Sequence, residues 1–122
     1  MRVKELGRPL IRGHVWLVRF QPWDPARGDS IEKYAVILQG GTYFLNYESV
    51  CVVLLTRTPP KRERPTDVLI PKGEHTADVE VWATCGQVWT IPVDDLVTYA
   101  YALSSDTMGR VDVALAIGLG MT

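Results

Sequence analysis

Short runs of β-branched and aromatic residues, each cut off by glycine, proline or aspartate, fill most of this chain, and helical spacing shows only near its end. That pattern admits a small β structure and little else. His14-Val15-Trp16-Leu17-Val18-Arg19-Phe20 reads as a first strand. It stops at residues 21–30, whose two prolines, one glycine and two aspartates predict a long loop. Residues 34–39 read as the second strand, ended by Gly40-Gly41. Val50 to Thr56 is the most apolar run and predicts a strand buried on both faces. Three prolines and four charges place residues 58–65 on the surface. Further strands are expected over 66–70, 79–84, 87–91 and 97–103. Ser105 is the expected cap of a closing helix, with Asp106 favouring its dipole. Met108, Val111, Leu115 and Leu119 recur there at helical spacing. The expected fold class is therefore mainly β, a small bent sheet or barrel with a C-terminal α-helix.

At 122 residues the chain has room for one core, and residues 1–122 are expected to form a single domain. Hydrophobic residues at 47% argue against a disordered chain. No apolar run reaches the roughly 18 residues that a membrane span needs. Arg2, Lys4 and Glu5 bring charge to the N-terminus where a signal peptide would be apolar, so a cytoplasmic location and no membrane partner are expected. Cys51 and Cys85 have apolar or small neighbours and read as buried thiols. With two cysteines, two histidines and no close ligand spacing, no metal or cofactor is expected. The net charge of −1 hides a split. Residues 1–64 hold eleven Lys and Arg against six Asp and Glu, and residues 65–122 hold two against eight. The split points either to one face that meets a polyanion or to two halves that pair within the fold or across a dimer.

Several of these stretches together resemble the MazF/PemK family of type II toxin-antitoxin toxins. Arg12-Gly13-His14-Val15-Trp16-Leu17-Val18 is similar to the family's opening strand, and Lys33-Tyr34-Ala35-Val36-Ile37-Leu38 to its second. Val52-Val53-Leu54-Leu55-Thr56 is similar to the strand that ends in Ser or Thr, and Gln87-Val88-Trp89-Thr90-Ile91 to a later motif. The match runs from about residue 11 to 119. The resemblance implies an SH3-like barrel, usually a homodimer. It implies cleavage of single-stranded RNA, such as mRNA, at short sequences without a metal, and control by a cognate antitoxin. The same superfamily includes CcdB, which poisons gyrase through C-terminal residues that include a tryptophan near the end; the ending Ile117-Gly118-Leu119-Gly120-Met121-Thr122 carries none, which disfavours a gyrase inhibitor as the further alternative.

Metal-free RNA cleavage uses the substrate's own 2′-hydroxyl as nucleophile, so the protein has to move protons and stabilise charge on phosphorus. By resemblance the catalytic candidates are Thr56 and Lys33, the latter standing where the family has an arginine. Lysine is a point charge where arginine is a planar fork. Gln87 and Trp89 are candidate substrate contacts, Trp89 as a stacking surface for an unpaired base. Yet some family members carry an Arg and an Asp just before this Gln, where this chain has Thr84-Cys85-Gly86, and an Arg where it has Trp89, so three charges are missing. Trp23 and Arg27 in the first loop are further candidates, as are Arg57, Lys61, Arg62 and Arg64, which could follow a phosphate backbone. His14 and His75 are weaker acid-base candidates. The missing charges keep a second possibility open, a binding protein on the same barrel with weakened catalysis.

Overall fold

The computed structural model describes residues 1–20, 31–74 and 79–121. Among the described residues seven strands precede one α-helix: β1 His14–Phe20, β2 Ile31–Ile37, β3 Ser49–Thr56, β4 Asp67–Ile70, β5 Val81–Thr84, β6 Trp89–Pro92, β7 Leu96–Ala102 and α1 Ser105–Gly118. They form an antiparallel SH3-like sheet ordered β4-β5-β3-β2-β1-β7, with β6 also on β3. The hydrogen-bonded path is left open at β4 and β7.

β3 is the hub, and its alternation explains why. Val53 and Leu55 enter one core, with Val15, Val36 and the helix residues Val111 and Leu115. Val50 and Val52 enter a second, with Trp16, Ala35 and Ile37. The strand is thus buried on both faces, as its apolar run predicts. Val3 and Leu10 of the N-terminal segment also lie in the second core.

The boundaries differ where pairing overrides local polarity. β2 begins at Ile31, not residue 34, because polar Glu32 and Lys33 pair with Arg19 and Val18 of β1. It ends at Ile37, and beyond it the Gln39 side chain accepts the Cys51 N–H at 2.9 Å. Cys85 is buried, and burial above all, then Asp67 and Asp112, pushes its thiol up to about 12. Cys51 is only half-buried.

The helix is capped one residue earlier than expected. Ser104, not Ser105, accepts the Thr107 N–H at 3.2 Å. Its buried stripe is Thr107, Val111, Ala114 and Leu115, whereas Leu119 follows the helix and is exposed. Glu74, from the β4–β5 connection, accepts the Ser104 N–H at 2.7 Å and the Thr107 hydroxyl at 2.6 Å. Burial pushes this carboxyl up, but the Ser104 and Thr107 hydrogen bonds and the Arg110 charge outweigh it, and the net shift is below the usual 4.5. Its stabilisation is therefore complete above pH 4.5 and fades as pH falls through the lower folded value. Glu74→Gln is expected to cost about 1 kcal/mol at neutral pH, a typical capping loss. Melting curves of the two proteins should converge as the pH falls below 4.5 and through the lower folded value.

Candidate functional site

Pairing between β2 and β3 runs from Ile37–Val52 to Ala35–Leu54 and then stops. β3 continues along β5 instead, Leu55 opposite Ala83 and Thr56 opposite Trp82. Where the strands part, an open hollow of about 450 Å³ forms. β2 lines it with Glu32, Lys33 and Tyr34, and the end of β3 with Leu55, Thr56 and the following Arg57 and Thr58. Val81, Ala100 and Tyr101 complete it from β5 and β7. The two catalytic candidates, Lys33 and Thr56, thus line the same hollow. Continuing the β2–β3 register past Leu54 sets Lys33 and Thr56 on one sheet face, and Tyr34 and Leu55 on the other.

The chemistry available is that of a weakly cationic, hydroxyl-bearing cleft. Lys33 and Arg57 bring positive charge and Glu32 one negative. The Thr56 hydroxyl accepts the Thr58 N–H at 3.1 Å, which leaves its own proton to donate. Tyr101 is half-buried. Burial first, then the nearby Glu74 and Tyr34, pushes its phenol up to about 12, so it remains a neutral donor at physiological pH.

The other candidates are dispersed. Of the four loop cations only Arg57 lines this hollow. Lys61, Arg62 and Arg64 line a shallow depression of their own. Arg64 is also engaged by Asp67, Nε to Oδ2 at 2.7 Å. Gln87 is exposed in the turn between β5 and β6, its N–H donating to the Thr84 carbonyl at 3.3 Å. Trp89 lies opposite Val52 and packs against the second core. Neither lines the hollow. Trp23, Arg27 and His75 lie outside the described residues. His14 lines a different depression beside the helix, with Arg12 and Asp112. Burial, then the Arg8 charge, lowers its pKa.

Glu32, Thr58 and Tyr101 escaped the sequence reading. For Tyr101 no local motif could have shown it, because only the pairing of β7 with β1, Val15 opposite Tyr101, brings it to this end of the sheet. Glu32 had one signal, its place beside the candidate Lys33 in the sequence.

Comparisons with known proteins bear on the family and the fold. Residues 11–119 match the family model of PemK-like, MazF-like toxins of type II toxin-antitoxin systems. None of the curated proteins matches the chain. Among solved structures, a mycobacterial endoribonuclease is 23% identical, with 93% of each chain covered and a TM-score of 0.71. A mycobacterial endoribonuclease in complex with its cognate antitoxin is 22% identical, over 93% of this chain and 97% of that one, at a TM-score of 0.73. The MazE-MazF complex of Deinococcus radiodurans is 16% identical, over 94% and 99%, at a TM-score of 0.75. At these identities the likeness is one of fold.

Proposed function

The chain belongs to the PemK-like, MazF-like toxins of type II toxin-antitoxin systems, and from that premise we propose that it is a metal-independent endoribonuclease that cuts single-stranded RNA, including mRNA, and so halts growth. The observation that carries this reading is the meeting of Lys33 and Thr56 in one open hollow. An RNA strand laid there presents a phosphate to both. The 2′-oxygen forms a bond to phosphorus, the bond to the 5′-oxygen breaks, and the products are a 2′,3′-cyclic phosphate and a 5′-hydroxyl. The proton lost by the 2′-hydroxyl passes to solvent, and the leaving oxygen takes one from water or a hollow hydroxyl. Thr56 donates to the phosphorane and Lys33 balances its charge.

The partners follow from the same reading: a second copy of this chain, and a cognate antitoxin that competes for the RNA groove, in the cytoplasm. The described residues include no helix long and apolar enough to cross a membrane.

The test is direct. Purified protein in excess chelator should cut a long unpaired RNA and leave cyclic-phosphate ends. Folded protein that cuts nothing, yet binds an antitoxin-like peptide, would overturn the nuclease reading in favour of a binding barrel. Lys33→Ala is expected to slow cutting about tenfold, from the loss of one charge-assisted contact. Lys33→Arg should restore or exceed the wild-type rate, because its fork grips a phosphate at two points. Rate constants on one oligonucleotide measure both.

A further inference from the structure

A carboxylate in a phosphate-binding hollow needs a reason, since it repels the group that Lys33 attracts. Glu32 lines the hollow and is exposed. Arg19 lies directly across β1 from it, yet the two form no ion pair. Strand alternation also separates Glu32 from the reacting pair. Glu32 and Tyr34 project to one face of β2 and Lys33 to the other. Alternation along β3 likewise turns Leu55 and Thr56 to opposite faces, Leu55 to the one that Tyr34 shares and Thr56 to that of Lys33. The hollow therefore has two edges, and the one carrying Glu32 and Tyr34 is not the one that meets the phosphate.

The second edge has the chemistry of a nucleobase site. Tyr34 is 44% exposed and offers an aromatic face for stacking. An ionised carboxylate only accepts, and its two oxygens suit a pair of parallel N–H donors. Unpaired RNA presents its Watson–Crick edges for such contacts. Guanine alone places two adjacent donors there, N1–H and the 2-amino group. Uracil flanks its single donor with carbonyls that a carboxylate repels, and adenine and cytosine each present an amino group beside an acceptor nitrogen.

We infer that Glu32 and Tyr34 form a base-selecting subsite that favours guanine next to the cut phosphate. This rests on the endoribonuclease reading above. Cut sites are first mapped on a long RNA with the full-length protein. Two oligonucleotides are then compared, identical except for guanine or inosine at the selected position, inosine lacking the 2-amino group. The wild-type protein should cut the inosine substrate roughly tenfold to a hundredfold more slowly, the span of a bidentate base contact. Glu32→Gln should cut the guanine substrate nearly as slowly as the inosine one, with its melting temperature unchanged.

Three results would overturn the subsite and leave the nuclease standing. They are mapped sites with no guanine preference, a Glu32→Gln protein that keeps the wild-type discrimination, and an equal loss on every sequence, which would make Glu32 part of the chemistry. A wild-type protein that cuts no RNA removes the nuclease reading and the subsite together.

Discussion

Thr56→Ala is expected to slow RNA cleavage about a hundredfold while leaving the fold intact. A single donor aimed at developing charge is worth about 10²–10³ in rate in well-studied sites. The structural cost is small by comparison. The Thr56 hydroxyl accepts the Thr58 N–H at 3.1 Å, and Thr58 is exposed, so water can replace that bond. The loss should be at most about 1 kcal/mol. Thr56→Ser keeps the donor and should keep most of the rate. Single-turnover rates in chelator, beside melting curves, separate the two effects. An alanine protein that cuts like the wild type would remove Thr56 from the chemistry.

The largest expected effect on stability comes from Gly40→Ala, far from the hollow. A Cβ at Gly40 would stand 2.5 Å from the Leu10 carbonyl oxygen, 3.0 Å from the Arg12 nitrogen and 3.2 Å from the Ile11 Cα. All three are backbone atoms, so no side chain can rotate aside. The segment is also tied down. The Gly13 N–H donates to the Ile37 carbonyl at 2.8 Å, and Arg12 Nε to the Leu38 carbonyl at 3.0 Å. Relieving the clash means breaking these or lifting buried Leu10 from the second core. Overpacking of this kind costs about 3 kcal/mol, roughly 10 °C in melting temperature for a domain of this size. Gly109→Ala is the control of opposite sign. Nothing lies within 4 Å of a Cβ there, and alanine is the better helix former by about 1 kcal/mol. A Gly40→Ala protein that melts with the wild type would mean that the N-terminal segment does not lie over Gly40 in solution.

Elements with strong local patterns were legible in advance, and those that depend on a distant partner were not. The β1 run, the apolar β3 and the closing helix each carry a periodic signal within a few residues. The start of β2 does not, because Glu32 and Lys33 look like loop residues until β1 pairs with them. The helix cap was misplaced by one residue for a similar reason. Ser104 and Ser105 are alike as sequence, and Glu74, from another part of the chain, bonds the Ser104 N–H. Among the candidates, Lys33 and Thr56 stand in family-like motifs, and the fold brings both to the hollow. Tyr101 sits on a strand with no motif of its own. The cations at 61–64 drew notice as a charge run, but Lys61, Arg62 and Arg64 lie apart from the hollow.

Hydrophobic periodicity and turn chemistry are short-range, so residue order alone determined which stretches become strands, that one helix closes the chain, and that β3 has two apolar faces. The pairing of strand edges depends instead on burying both faces at once, a free energy shared among residues far apart in the chain. Only the tertiary structure could therefore decide that β3 parts from β2 after Leu54 and pairs with β5 from Leu55, which opens the hollow, and that Glu32 and Tyr101 line it.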